Sequence, residues 1–89
     1  MTDQQDVPIL TVYGRPECHL CDELVAALKP WQSRYNFLVE EVNIDTDAAL
    51  TSRYAARIPV LAVDDVEVSQ YFLDEKQLRQ ALENRNSRK

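Results

Sequence analysis

Two cysteines separated by two residues are the part of this sequence best suited to chemistry. Cys18 and Cys21 are the only cysteines, and the single histidine, His19, lies between them. A thiol becomes a nucleophile and a metal ligand when it loses its proton. Two thiols about one helical turn apart can also close into a disulfide and open again. Residues 15–22 are therefore the first candidate for a redox or metal-binding site.

Ligand counting weighs against a metal site built by this chain alone. Tetrahedral zinc needs about four ligands, whereas the chain offers Cys18, His19 and Cys21 within one short span. Zinc or an iron–sulfur cluster would therefore need a second chain or an external thiol. We expect no metal site within the chain. A purely structural role for both cysteines is a further alternative.

The elements around the cysteines are predicted from hydrophobic patterning. Residues 9–13 are β-branched, apolar or aromatic and are closed by Gly14, which is typical of a short buried strand. A helix is predicted to begin at the cysteines, because leucines recur at positions 20, 24 and 28. Pro16 suits the approach to its first turn, where a missing N–H costs nothing. Pro30 should kink or interrupt this helix.

The position of Cys18 at a helix start would tune its acidity. Unpaired backbone N–H groups carry partial positive charge there, which stabilises a thiolate and lowers the thiol pKa. His19 could add to this effect by a hydrogen bond or by its charge, although an exposed helix residue is an equally good interpretation. Cys21, one turn later, is placed to form a disulfide with Cys18.

The remaining elements complete a β-α-β-α-β-β-α order. A second strand is predicted over residues 37–44, a short helix carrying Leu50 and Tyr54 follows capping residues 45–47, and strands 60–63 and 66–69 form a hairpin. Asp74, three residues before Gln77, predicts a capped final helix. Residues 1–8 are expected to be a loose arm and residues 83–89 a frayed tail. Core packing is the default for three aromatic residues: Trp31, Tyr35 and Tyr54.

Composition and charge limit the classes of function that this chain can have. The 89 residues, 45% hydrophobic and 28% charged, predict a single domain over residues 1–89. A net charge of −5 repels phosphate backbones, so nucleic acid is not an expected partner. No secretory signal or membrane span is visible, which favours a cytoplasmic monomer with no membrane partner. In a reducing cytosol, paired cysteines favour catalytic or metal-binding duty over a permanent disulfide.

The order of elements and two motifs resemble the glutaredoxin-like family of the thioredoxin-like superfamily, and small bacterial glutaredoxin-like proteins in particular. The likeness covers about residues 9–82. It implies an α/β fold with a mixed four-stranded sheet flanked by helices on both faces. The two motifs are Arg15-Pro16-x-Cys18-His19-Leu20-Cys21-Asp22 and Arg57-Ile58-Pro59-Val60-Leu61.

The resemblance implies a thiol–disulfide oxidoreductase with Cys18 as the nucleophile and Cys21 as the resolving thiol. It also implies a cis peptide bond between Ile58 and Pro59 beside the disulfide, with the backbone of Ile58 turned toward substrate. The expected partner is a disulfide-containing protein or a small-molecule thiol. Two further residues are candidates for substrate contacts: Arg15 and Arg57.

Departures from the family pattern keep a second hypothesis open. His19 and Leu20 replace the usual Pro and aromatic residue, and residues 69–73 replace the Gly-Gly turn and Asp pair that help hold glutathione. Side chains thus stand where a tripeptide would approach bare backbone. Glutathione is retained as a co-substrate candidate, and no resident cofactor is expected. The alternative is a non-enzymatic module that binds a protein, metal or cluster through the same cysteines.

Overall fold

The predicted order of helices and strands is confirmed. The structure is a computed structural model in which residues 7–86 are described, with side chains through residue 84. A 3-10 turn, Ile44–Thr46, precedes the second helix. The seven principal elements are β1 (Ile9–Gly14), α1 (His19–Arg34), β2 (Leu38–Asn43), α2 (Ala48–Tyr54), β3 (Val60–Val63), β4 (Val66–Gln70) and α3 (Glu75–Asn86).

The four strands form one mixed sheet in the order β2-β1-β3-β4. β1 is parallel to β2, which requires the helical crossover through α1. β3 is antiparallel to both β1 and β4. In this register Tyr13 pairs with Val60, and Val60 pairs with Gln70. The end of β1, the start of β3 and the end of β4 therefore share one edge of the sheet, and the cysteines follow β1 at that edge.

Helices cover both faces of the sheet because the strands alternate their apolar side chains. On one face, Leu10 and Val12 of β1 pack in a cluster with residues of α1 and α3. On the other face, Tyr13 packs in a second cluster with Ile44 and Tyr54, which brings α2 against the sheet. The expected two-sided architecture is thus confirmed. Within residues 7–86, no helix is long and apolar enough to span a membrane.

Pro30 does not interrupt α1, which was one of the two effects expected of it. The helix continues through Pro30 to Arg34. Proline removes one helical donor, but the next turn closes with a 2.8 Å hydrogen bond from the Tyr35 N–H to the Trp31 carbonyl. The Trp31 and Tyr35 rings also stack, with centroids 5.9 Å apart. These contacts maintain the last turn after the proline.

Both ends of the described chain make contacts with neighbouring elements. Pro8 is buried, and its carbonyl accepts a 3.0 Å hydrogen bond from the Leu38 N–H. α3 extends to Asn86, and the Tyr35 hydroxyl lies 3.2 Å from the Glu83 carboxylate. Residues 1–6 and 87–89, which belong to the expected arm and tail, lie outside the described residues.

Candidate active site

Cys18 caps the N-terminus of α1. It has extended backbone angles, and its carbonyl accepts a 3.1 Å hydrogen bond from the Asp22 N–H. Its sulfur accepts the Cys21 N–H at 3.2 Å, the role that a serine or aspartate oxygen plays at other helix starts. The helix therefore presents one of its unpaired N–H groups directly to the Cys18 sulfur.

The two sulfurs are joined in a disulfide, and they differ in accessibility. The Cα atoms of Cys18 and Cys21 lie 5.2 Å apart, inside the usual range for a bridged pair. Cys18 is half-buried, whereas Cys21 is only 7% exposed. An incoming molecule can therefore reach Cys18 more easily than Cys21.

Gly14 makes room for Cys21 at the end of β1. A Cβ atom at position 14 would lie 2.5 Å from the Cys21 sulfur and 3.2 Å from its Cβ atom. Real Cβ atoms essentially never come within 3.0 Å of another heavy atom. The glycine has no positive φ angle, so its small size is what the site uses. From the sequence, Gly14 indicated only the end of a strand.

The segment containing Ile58 and Pro59 lies at the same sheet edge as the cysteines. The peptide bond between these two residues is cis, and Pro59 is buried. The Pro59 carbonyl accepts a 2.8 Å hydrogen bond from the Tyr71 N–H. The Tyr71 hydroxyl reaches back to the Ala56 carbonyl at 2.7 Å. Tyr71 thus holds the loop before β3 by two hydrogen bonds, one from its backbone and one from its side chain.

Tyr71 itself has an unusual backbone conformation, with φ at 69°. Positive φ is an outlier for a bulky side chain, because Cβ crowds the following carbonyl. The two hydrogen bonds to the neighbouring loop hold it there. No sequence pattern indicated this conformation, since positive φ is normally signalled by Gly, Asn or Asp.

The two arginines proposed for substrate contacts are already engaged within the chain. Arg15 Nε lies 3.0 and 3.2 Å from the two carboxylate oxygens of Asp45. Arg57 Nη1 lies 2.9 Å from Glu67, and its guanidinium lies 5.4 Å from the centroid of the Tyr54 ring. Both arginines therefore link neighbouring elements of this structure by ion pairs.

His19 and Pro16 are both exposed. His19 is the first residue of α1, and its imidazole makes no hydrogen bond with any of the residues described, Cys18 included. Pro16 lies in the turn between β1 and α1, just before the helix as expected. Among the side chains of residues 7–84, no group of three or more His, Cys, Asp and Glu residues is arranged to hold a metal ion.

Sequence comparison assigns the chain to a family. Residues 9–83 match the family described as Glutaredoxin-like domain (DUF836). The chain belongs to this glutaredoxin-like family. Protein Ne2328 from Nitrosomonas europaea, solved by NMR, is 40% identical with a TM-score of 0.81, over 92% of this chain and 99% of that one. The target protein XcR50 from X. campestris is 43% identical with a TM-score of 0.65, over 84% and 96% of the two chains.

More distant structures identify the fold of this glutaredoxin-like chain. A mutant thioredoxin from Halobacterium salinarum is 23% identical with a TM-score of 0.58, over 86% of this chain and 73% of that one. A thioredoxin from Fasciola hepatica is 15% identical with a TM-score of 0.60, over 92% and 86% of the two chains. The predicted thioredoxin-like fold is confirmed.

The ion pair between Glu67 and Arg57 should make the stability of this glutaredoxin-like protein depend on pH. The hydrogen bond from Arg57 lowers the pKa of Glu67 below its ordinary value of 4.5. A carboxylate with a lowered folded-state pKa stabilises the fold above its unfolded pKa, and this contribution is lost as pH falls through the folded pKa.

Glu67→Gln should therefore lower the urea midpoint of unfolding at neutral pH, and the difference from wild type should shrink as the pH falls below 4.5 and through the lowered folded-state pKa. Urea titrations across this range would measure it. Glu40→Gln, which removes an exposed carboxylate from β2, is the control and should show a smaller difference. A Glu67→Gln deficit that persists unchanged into acid would show that the charge of Glu67 does not stabilise the fold.

Proposed function

We propose that this protein is a thiol–disulfide oxidoreductase in which Cys18 attacks the substrate and Cys21 resolves the intermediate. The observation that carries this proposal is the hydrogen bond from the Cys21 N–H to the Cys18 sulfur at the start of α1. The same N–H is available to a Cys18 thiolate in the reduced protein. Charge-assisted hydrogen bonds and the positive helix end both favour that thiolate.

The exchange proceeds in two balanced steps. The Cys18 thiolate attacks one sulfur of a substrate disulfide, forms a mixed disulfide and releases the other substrate sulfur as a thiolate, which takes up a proton. Cys21 then loses its proton, attacks the Cys18 sulfur and releases the remaining substrate thiol. The substrate gains two electrons and two protons, and the protein is left with the Cys18–Cys21 disulfide. A dithiol or two thiols from an external donor reverse these steps and restore the reduced form.

The difference in burial supports the assignment of roles. Cys18 is half-buried and Cys21 is 7% exposed, so a bulky disulfide reaches Cys18 first. Because Cys21 is adjacent and shielded, it competes for the mixed disulfide ahead of external thiols. The loop at Ile58 lies at the same end of the sheet as Cys18, and in this proposal its backbone pairs with an extended polypeptide substrate in the manner of an added strand.

Alkylation of the reduced protein as a function of pH tests the proposal. Cys18 should react with iodoacetamide as a thiolate that forms well below the ordinary thiol pKa of about 8.5, because α1 stabilises its charge. Mass spectrometry of quenched samples would locate the label, and the rate against pH would give the pKa.

Cys18→Ser, which keeps only the buried Cys21, is the matched control and should react slowly across the same range. A Cys18 thiol that titrates at or above the ordinary value would contradict nucleophilic activation at the helix start. The oxidoreductase proposal would then lose the observation on which it depends.

A further inference from the structure

An apolar cleft is lined in part by Leu20, a residue of the redox motif. It lies between α1 and the segment that joins β4 to α3, and its volume is about 270 Å³. Leu20, which stands between the two cysteines, lines one side, while the other side is formed by the consecutive residues 71–73. Phe72 is 67% exposed and Tyr71 is 40% exposed. Exposed aromatic residues beside a reactive pair can provide apolar contact area for a partner.

The backbone at Tyr71 holds this surface in place. The positive φ of Tyr71 is a conformation that costs on the order of 1–3 kcal/mol and persists only where the surroundings enforce it. The Tyr71 hydroxyl donates a hydrogen bond to the Ala56 carbonyl, and the Tyr71 N–H donates one to the Pro59 carbonyl. Both the side chain and the backbone of Tyr71 are therefore held. Phe72 follows directly and remains largely in solvent. The chain thus maintains a strained residue immediately before an exposed aromatic residue that lines the same cleft as Leu20 of the redox motif.

The charged residues that line the clefts beside Phe72 have one sign, whereas Arg57, which hydrogen-bonds Gln70, lies outside the lining. A second cleft, lined by residues 69, 70 and 72–75, lies on the other side of Phe72 and Leu73. Among the described residues lining the two clefts, those with charged side chains are Glu23, Asp74 and Glu75, and all are acidic. An apolar ridge between acidic rims complements an apolar side chain flanked by basic residues.

We propose that the cleft between Leu20 and Phe72 binds an apolar side chain of a polypeptide substrate that carries lysine or arginine next to it. This rests on the proposed oxidoreductase function and specifies its substrate class as cationic polypeptide disulfides. Binding there places the neighbouring substrate disulfide at Cys18. An anionic tripeptide such as glutathione has no large apolar side chain for the cleft and is repelled by Glu23.

Three disulfides test this preference in exchange assays. One is a symmetric peptide disulfide with Phe and Lys beside each Cys, the second has Ser and Asp at the same positions, and the third is hydroxyethyl disulfide. Wild type should reduce the Phe/Lys peptide with a kcat/KM about tenfold above that for the Ser/Asp peptide, as expected for burial of one aromatic side chain. Added salt should reduce this preference, because the rim charges are exposed.

Phe72→Ser should remove most of the preference by raising KM for the Phe/Lys peptide. Val66→Ser, which changes a residue of similar exposure, 65%, at the other end of β4, is the matched control and should keep the preference. Glu23→Gln should lower the preference by a smaller factor. Equal preferences in wild type and Phe72→Ser would overturn the proposal.

A binding measurement separates this inference from the proposed function. The same peptides with Ser in place of Cys should bind oxidised protein in the same order, and Phe72→Ser should remove most of the difference. If no disulfide is reduced, hydroxyethyl disulfide included, while this binding order is found, the oxidoreductase proposal fails and the docking surface stands. If exchange occurs but the peptides bind without preference, the docking surface is wrong and the oxidoreductase proposal stands.

Discussion

Replacing Cys18 by serine should reduce disulfide exchange to the background rate, whereas replacing Cys21 by serine should trap the substrate as a mixed disulfide. A serine hydroxyl is not ionised at neutral pH, so Cys18→Ser removes the nucleophile. In Cys21→Ser the Cys18 sulfur remains at the start of α1, half-buried and reachable, and the first step proceeds. The second step stops because no adjacent thiolate is present.

Intact-protein mass spectrometry and turnover assays would distinguish the two variants. Incubated with a peptide disulfide, Cys21→Ser should gain the mass of one peptide half, and a reducing agent should release it. Cys18→Ser should gain none, since its remaining thiol is buried. Equal partial losses in both variants, or an adduct on Cys21, would contradict the assigned roles.

Gly14→Ala should destabilise the oxidised protein by about 1–3 kcal/mol, the usual cost of overpacking. The added Cβ would lie 2.5 Å from the Cys21 sulfur, which the disulfide prevents from rotating away. In the reduced protein the Cys21 side chain can change rotamer, so the cost should be smaller. The disulfide should then be easier to reduce, with the potential rising by about 30 mV for each 1.4 kcal/mol of difference.

Urea unfolding of the oxidised and reduced forms would measure these costs. A double-mutant cycle with Cys21→Ala supplies the control, because that variant has no sulfur for the new methyl group to meet. Gly14→Ala should be much less costly in the Cys21→Ala background than in the reduced or oxidised wild type. An equal cost in all three backgrounds would show that the sulfur is not what Gly14 accommodates.

Local patterning was sufficient to predict the elements, because the residues that determine them are close in sequence. The β-branched run of β1 and the spaced leucines of α1 specify their periods directly. The side chain of Asp47 caps α2 at 2.8 Å from the Ala49 N–H, within the predicted capping segment. Helix starts and strand alternation of this kind need no knowledge of the tertiary fold.

Features that depend on packing between distant segments could not be predicted. The clearance that Gly14 leaves for Cys21 exists only when the strand and helix meet. The positive φ of Tyr71 contradicts its intrinsic preference and is enforced by Ala56 and Pro59, residues that precede it by more than ten positions. The pairing of Arg57 with Glu67 likewise depends on the β3–β4 hairpin. Tertiary contacts overrode or added to local preference in each case.

The hairpin turn shows an intermediate case. Asp64 and Asp65 both have positive φ, at 49° and 73°, as a two-residue type I′ turn requires. The hairpin predicted from strands 60–63 and 66–69 leaves these two residues for its turn, but Asp-Asp is a weaker signal for this turn type than Asn-Gly or Asp-Gly. The Asp64 carboxylate accepts the Ile9 N–H at 3.1 Å, which explains an aspartate there in place of glycine. Asp64, which is a weaker turn residue than glycine, therefore makes a contact with a strand 55 residues earlier in the chain.

The direction of β1 and α3 determines how this protein can be attached to other molecules. β1 starts at Ile9 and reaches the cysteine edge five residues later, about 17 Å at the rise of an extended strand. α3 runs back from that edge over twelve residues, about 18 Å, toward the end of α1. Ile9 and Asn86 thus both lie at the pole opposite the disulfide. A surface anchor, fluorescent label or fused domain could be joined at either point while the dithiol faces solution.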